Sequence, residues 1–154
     1  MQTNIRQQLV EWLSTLANDQ TWSMLVTITM RRYDHTFERS WCIPEIDKAI
    51  CVFVSRLDQK VFPRLHRYEK RRVGRIVARH LGAYRDNPHY HIVIARPWHI
   101  SEQKLRSLIT DTAKRIRWID GEPHFEGFRD VGAISYLLSD HAAEIIPEAT
   151  ERAY

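Results

Sequence analysis

The sequence predicts a single α+β domain built on an antiparallel sheet. Short segments rich in β-branched residues alternate with longer segments whose apolar residues recur at helical spacing. The segments follow one another in the order α-β-α-β-β-α-β-α, with no internal repeat and no Gly/Ser-rich linker. Because no change in composition divides the chain, we expect one domain over residues 1–154.

The first half of the chain predicts a helix, a strand and a second helix. An amphipathic N-terminal helix is indicated by the stripe Ile5, Leu9, Trp12, Leu13 and Leu16. Residues 24–30 alternate threonine with apolar side chains, which predicts a strand with one polar and one buried face. Pro44 suits the first turn of a helix, and the apolar stripe that follows it ends before Pro63.

The second half predicts three strands and two helices. In order these are strand 74–81, strand 89–95, a helix capped by Ser101, strand 124–128 and a helix capped by Asp130. Asn87-Pro88 and Asp120-Gly121 mark turns before the second and third of these strands. The central order β-α-β-β-α-β is typical of a ferredoxin-like sandwich. We therefore expect a ferredoxin-like βαββαβ antiparallel sheet with helices on one face, the other face open, and extra N-terminal and C-terminal helices.

Length and composition restrict the class of protein. No apolar run approaches the roughly 20 residues needed to span a bilayer, so no membrane partner is expected. The first residues contain no apolar signal-peptide core, and Cys42 and Cys51 have no metal or redox spacing, which predicts a cytoplasmic protein. The predicted core covers about residues 22–142, and residues 143–154 form an acidic tail that we expect to be solvated.

The net charge of +4 is unevenly distributed along the chain. One basic run, in which Glu69 is the only acid, contains Arg64, Arg67, Lys70, Arg71, Arg72, Arg75 and Arg79. Such a run is typical of a surface that contacts phosphates, and equally typical of a solvated loop. The charge pattern alone does not choose between these interpretations.

Two histidines indicate a possible site on the polar face of the sheet. His89 and His91 are two residues apart on a predicted strand, so their side chains leave the same face and can share one metal ion. By the same alternation Thr27 and Thr29 occupy the polar face of the first strand. A histidine pair of this spacing also occurs for structural reasons, so the pair alone leaves both interpretations open.

Three further residues bear on this site. His80 lies nine residues before His89 on the preceding strand, where a third metal ligand is within reach, although its orientation is not fixed by the sequence. Glu126 is an alternative ligand, but the expected strand order places it two strands away. Tyr136 lies off the apolar stripe of the final helix, which consists of Val131, Ile134, Leu138 and Ala142.

These motifs resemble those of one enzyme family. Residues 88–94 (Pro-His-Tyr-His-Ile-Val-Ile) resemble the histidine-hydrophobe-histidine signature of the HUH endonuclease superfamily. Residues 25–29 resemble the first motif of its replication-initiator (Rep) branch, and residues 130–138 resemble the third, in which a helix presents a nucleophilic tyrosine. The motifs occur in the family's order and cover most of the chain. The chain most resembles the small rolling-circle initiators of plasmids, filamentous phages and integrated elements.

The resemblance implies a metal-dependent, site-specific enzyme that nicks and joins single-stranded or hairpin DNA to initiate rolling-circle replication. His89 and His91 would bind Mg²⁺ or Mn²⁺ with His80 as a third ligand, and Tyr136 would form a 5′-phosphotyrosine link. A separate helicase is expected because the chain has no Walker motif. The residues expected to bind DNA are Thr27, Thr29, Arg67, Lys70, Arg71, Arg72, Arg75 and Arg129.

One position departs from the family pattern. Many Rep proteins carry a lysine three residues after the tyrosine, where this chain has Ser139. Lys104, Arg129 or a residue of the basic run would have to supply that charge. Two other functions therefore stay open: a single-strand transposase of the HUH class, and a ferredoxin-like nucleic-acid-binding module without catalysis.

Overall fold

The computed structural model describes residues 22–64, 69–82, 84, 86–128 and 143–151, together with residues 11 and 15. Most of the predicted N-terminal helix and all of the predicted final helix lie outside the described residues. Within them, neither helix has the length and apolarity needed to cross a membrane.

The described part of the chain contains seven strands and two helices. They are β1 Met24–Met30, β2 Tyr33–Asp34, β3 Arg39–Ser40, α1 Ile43–Val61, β4 Arg75–His80, β5 His89–Ile94, α2 Glu102–Ala113, β6 Ile119–Gly127 and β7 Glu144–Ile145. Both helices begin as their sequences indicate, since Pro44 lies in the first turn of α1 and the Ser101 side chain accepts a hydrogen bond from the Lys104 backbone N–H. The predicted α+β class is confirmed.

Five strands form the main sheet in the order β6-β1-β5-β4-β7, and every neighbouring pair is antiparallel. This arrangement, with α1 between β1 and β4 and α2 between β5 and β6, is compatible with a ferredoxin-like fold. β2 and β3 form a separate two-stranded hairpin, which the sequence did not predict.

The main core lies between the helices and one face of the sheet. Ile28, Tyr90 and Ile92 of the sheet pack in the same cluster as Phe53 of α1 and Ile109 of α2, and all five are fully buried. Burial of each large apolar side chain contributes about 1.5–3 kcal/mol, so this face fixes the position of the strands. Both described helices therefore cover the same face, as predicted.

The sequence predicted that the opposite face is open, but the structure covers part of it. Ile76, Ala78 and Val93 are almost completely buried there in a second apolar cluster with Trp22 and Ile145. Alternation along β4 and β5 places apolar side chains at one end of this face and histidines at the other. Along β4 and β5, the accessible part of this face is therefore at the histidine end.

The acidic tail is not a solvated segment in the described range 143–151. β7 pairs with the edge strand β4, and Glu144 and Glu151 form ion pairs with Arg79 and Arg72 respectively. Its apolar side chains are buried: Ile145, Ile146 and Ala149. The tail extends the sheet by one strand because its apolar residues pack against the sheet, and its acids pair with one arginine of β4 and with Arg72 shortly before it.

Candidate metal centre

Three histidines converge on the accessible end of the second sheet face. The candidate ligand atoms of His80, His89 and His91 all lie within 4.8 Å of one another. The ring of His91 is perpendicular to the other two, with ring centroids 4.6 Å from His80 and 5.0 Å from His89. We call these residues the histidine cluster, and it could hold a metal ion.

The strand register explains why the three side chains meet. His80 at the end of β4 is paired with His89 at the start of β5, and directly paired residues share a sheet face. His91 is two residues further along β5 and therefore lies on the same face. Its partner on β4 is Ala78, whose small side chain leaves room above it for the imidazole rings. The structure thus brings His80 together with the predicted His89–His91 pair in one cluster.

The imidazoles of His89 and His91 are held through their Nδ1 atoms. Nδ1 of His91 lies 3.0 Å from the hydroxyl oxygen of Thr27, its register partner on β1. Nδ1 of His89 lies 2.9 Å from the backbone carbonyl of Asn87, which can only accept the N–H. This bond fixes the tautomer of His89 with a lone pair on Nε2, and a histidine that ligates a metal through one nitrogen commonly donates the other N–H in this way.

The electrostatic surroundings favour neutral imidazole at His91. Burial lowers the pKa of His91 to about 4, and the neighbouring His80 and His89 contribute to the shift. At neutral pH its lone pair is therefore not occupied by a proton. Three imidazoles make a chemically suitable face for a divalent transition metal, and three protein ligands leave further coordination positions open. The residues present thus fit a divalent ion.

The other polar residues predicted on this face are distributed unequally around the cluster. Thr27 contacts it directly, whereas Thr29 is exposed and paired with His89 across the strands. Glu126 is separated from β5 by the whole of β1, as predicted, and is not part of the cluster.

Three members of the basic run lie away from the histidine cluster. Lys70, Arg71 and Arg72 precede the first residue of β4, whereas His80 is the last, and the two ends of this strand are roughly 16 Å apart at about 3.3 Å per residue. Arg71 and Arg72 also form ion pairs, with Glu69 and Glu151. These three residues therefore lie at the end of β4 that is distant from the histidine cluster.

Arg75 is unsuited to the DNA-binding role predicted for it. Its side chain points to the helix-covered face and is 2% exposed. The guanidinium forms an ion pair with buried Asp58 at 2.7 Å and donates hydrogen bonds to the carbonyls of Val73 and Ala149. A residue fixed in this way has no access to a phosphate, so Arg75 is removed from the predicted surface.

The predicted nucleophile Tyr136 lies outside the described residues, as do Arg67 and Arg129. Two other tyrosines are near the cluster in sequence. Tyr90 is fully buried on the helix-covered face, and its hydroxyl donates to Asp47 at 2.5 Å. Burial, with this hydrogen bond, raises the pKa of Tyr90 far above its ordinary value, so it is not a nucleophile. Tyr84, between β4 and β5, is exposed.

Two features of this region were missed from the sequence. His124 on β6 is paired with Thr27, which in turn is paired with His91, so His124 lies on the face of the cluster, with its Nε2 3.2 Å from Glu126. The alternation of His124 and Glu126 could have indicated this. A cavity beyond the end of β1, lined in part by Arg31 and Arg32, also adjoins the site. The β2–β3 hairpin forms one wall of this cavity, and the sequence did not predict the hairpin.

Fold and site together define an antiparallel α+β protein with a histidine cluster that could hold a metal ion. No protein-family model, no curated protein and no solved structure matches the chain. Any assignment of function therefore depends on the residues of the site and on the motifs in the sequence.

Proposed function

We propose that this protein is a metal-dependent enzyme of the HUH class that nicks and joins single-stranded DNA through Tyr136, as the initiator of rolling-circle replication. The histidine cluster is the observation that carries the proposal. The HUH-like motif supplied His89 and His91, and the strand register adds His80 on the same face. The strand order β6-β1-β5-β4, with both helices on the opposite face, supports the ferredoxin-like sandwich that this class requires.

The charge of the site fits a phosphodiester substrate. The three candidate ligands are imidazoles, which bind a metal ion in their uncharged form, and no carboxylate joins them among the described residues. A divalent ion held by such ligands keeps its full positive charge and would polarise a phosphodiester as a Lewis acid. An anionic substrate would therefore be favoured at the open positions. Mn²⁺ or Mg²⁺ is the ion that the motif resemblance implies.

The chain's own residues would have separate tasks in the reaction. Thr27 and the Asn87 carbonyl orient the imidazoles, and exposed Thr29 borders the place where the strand would lie. The Tyr136 oxygen would form a bond to phosphorus while the bond from phosphorus to the 3′ oxygen breaks. The tyrosine hydroxyl loses its proton in this step and the 3′ oxygen gains one. Because one phosphate ester bond replaces another, the reaction is reversible without ATP.

Lys70, Arg71 and Arg72 remain predicted DNA contacts, but for a part of the strand distant from the scissile phosphate. The same proposal includes a separate helicase as partner and a cytoplasmic location for the enzyme. A single-strand transposase would share the metal and the tyrosine. A non-catalytic binding module would need neither.

Covalent adduct formation tests the proposal. The full chain is incubated with Mn²⁺ and a pool of single-stranded DNA, and the products are separated on a denaturing gel. An adduct that is lost in Tyr136→Phe and in His91→Ala is expected. Tyr84→Phe is the matched control, because Tyr84 is exposed close to the cluster in sequence and should be dispensable.

Other outcomes reject specific parts of the proposal. An adduct that persists in Tyr136→Phe and disappears in Tyr84→Phe would reassign the nucleophile. Tight, metal-independent DNA binding without any adduct would instead identify the binding module. Transfer of one DNA end to a new strand without a requirement for an origin-like sequence would favour the transposase.

A further inference from the structure

We propose that the cavity between the β2–β3 hairpin and the end of β1 binds single-stranded DNA next to the nicked phosphate. The proposal rests on the proposed function, because it assigns a place to the substrate of that reaction. The cavity has a volume of about 580 Å³, within the range of sites for small organic groups. We call it the hairpin cavity; its lining includes Thr29, Arg31, Arg32, Tyr33, Asn87 and Asp120.

The hairpin cavity is contiguous with the histidine cluster. Thr29 lines the cavity and is the register partner of His89. Asn87 also lines it, and its carbonyl accepts the hydrogen bond from His89. Neighbouring β-strands are about 4.8 Å apart, so the cavity residue Thr29 lies close to His89. A DNA strand with one phosphate at the histidine cluster would therefore place its adjoining nucleotide in the cavity.

Two arginines give the cavity its affinity for phosphate. Arg31 and Arg32 are exposed, and within the described residues neither guanidinium is engaged in a hydrogen bond or an ion pair. Asp120 is the exposed acid of the lining and offsets only one of these charges. Arginines available in a cavity next to a phosphodiester site are suited to contact the neighbouring phosphates.

An aromatic side chain beside these arginines is suited to a base. The Tyr33 side chain is 40% exposed, and its ring makes an edge contact with His35 at a centroid distance of 5.0 Å. A base can stack on such a ring whatever its identity. Cations for phosphates next to a ring for a base favour single-stranded nucleic acid over an acidic peptide.

The hairpin that forms one wall is fixed in place. Buried Asp34 accepts hydrogen bonds from the backbone N–H groups of Thr36 and Phe37, at 2.8 and 3.3 Å. It also accepts one from Arg117 Nε at 2.6 Å, and the Arg117 guanidinium lies 3.6 Å from the Phe37 ring centroid. This acid is therefore committed to the turn and does not repel a phosphate in the cavity.

Fluorescence anisotropy tests the phosphate contacts. The probe is a labelled, mixed-sequence single-stranded DNA of roughly 16 nucleotides, and EDTA is present so that neither metal nor nicking contributes. In Arg31→Ala/Arg32→Ala we expect the affinity for DNA to fall at least about tenfold. The slope of log K against log salt concentration should become less steep by about 1.4, which is 0.7 for each lost phosphate contact. The matched control is Lys48→Ala/Arg56→Ala, which removes the same charge from exposed positions of α1. Equal losses in both variants, or no binding by the wild type, would overturn the proposal.

Substitution of Tyr33 tests the base contact and the identity of the ligand. Tyr33→Leu should weaken binding of the normal strand about fivefold or more, whereas binding of an abasic strand should be unchanged and Tyr33→Phe should behave as wild type. Indifference to Tyr33→Leu, together with displacement of the DNA by polyglutamate at equal charge, would show a general polyanion surface and reject the site.

The two proposals fail separately. Arginine-dependent binding without a covalent adduct rejects nicking only, whereas an adduct whose formation does not depend on Arg31, Arg32 or Tyr33 rejects the hairpin cavity only. If the double variant does not fold, as judged by circular dichroism, Arg32→Gln at its exposed position provides the same comparison.

Discussion

Thr27 and His91 face each other across neighbouring strands, and the Thr27 hydroxyl oxygen lies 3.0 Å from His91 Nδ1. The contact ties the β1 threonine motif to the histidine motif on β5. It orients an imidazole whose remaining nitrogen can bind an ion. Thr27, which the sequence predicted as part of a DNA surface, thus also holds the ring of a candidate metal ligand.

Removal of the Thr27 hydroxyl should therefore weaken metal binding. In Thr27→Val we expect the affinity for Mn²⁺ to fall about 10- to 100-fold, because the ring of His91 loses the partner at its Nδ1. Thr27→Ser should largely restore the affinity. Thr29→Val is the matched control, since Thr29 lies on the same face without contacting an imidazole nitrogen. Calorimetric titration measures the effect, and equal affinities of Thr27→Val and wild type would contradict this role.

The identity of the ligands also predicts an order of metal preference. Imidazole nitrogens bind divalent metals in the order Mn²⁺ < Ni²⁺ < Cu²⁺, with Zn²⁺ also strong, whereas Mg²⁺ prefers oxygen ligands. We expect Ni²⁺ or Zn²⁺ to raise the melting temperature more than Mn²⁺, and Mn²⁺ more than Mg²⁺. The response should disappear in His89→Ala/His91→Ala. A shift with Mg²⁺ as large as that with Ni²⁺ would point to oxygen ligands outside the cluster.

Local periodicity made the core elements predictable. The alternation of residues 24–30 and the apolar stripe after Pro44 correspond to β1 and α1, because each depends on side chains within the same segment. The shared face of His89 and His91 follows from the same rule. The orientation of His80 did not, since it depends on the register between β4 and β5, which is fixed by packing across the sheet.

The remaining differences come from interactions between distant segments. β6 begins at Ile119 and includes the predicted Asp120-Gly121 turn, because a register shift between Thr27 and Thr29 accommodates Gly121 at φ +64° within the strand. β2 and β3 have two residues each, which is too short for a periodic pattern. The pairing of the acidic tail with β4 likewise has no local signal.

The buried ion pair between Asp58 and Arg75 should make a large contribution to stability. Both side chains are almost fully buried, and the Asp58 carboxylate also accepts a hydrogen bond from the Val73 N–H at 2.8 Å. Asp58→Ala leaves an unpaired buried guanidinium, so we expect a loss of about 3–5 kcal/mol in the free energy of unfolding. Urea denaturation measures it. The control Glu102→Ala breaks the exposed pair with Arg106 and should cost less than about 0.5 kcal/mol; similar losses for both would show that the guanidinium finds another partner.

The ion pair between Asp34 and Arg117 predicts an acid-sensitive hairpin. The hydrogen bond from Arg117 lowers the pKa of Asp34 below its ordinary value of 3.8, against the opposing effect of burial, and the N–H groups of Thr36 and Phe37 act in the same direction as Arg117. A carboxyl group whose pKa is lower in the folded state stabilises the fold fully above its ordinary pKa. It loses that contribution as the pH falls through the lowered value. The hairpin should therefore stay intact at pH 5 and weaken below pH 3.8.

Carboxyl chemical shifts of Asp34 and amide exchange at Thr36, followed by NMR, measure both effects. Asp34→Asn should remove the pH dependence at Thr36, and a Thr36 amide whose protection did not change across this interval in the wild type would show that the turn does not depend on the charge of Asp34.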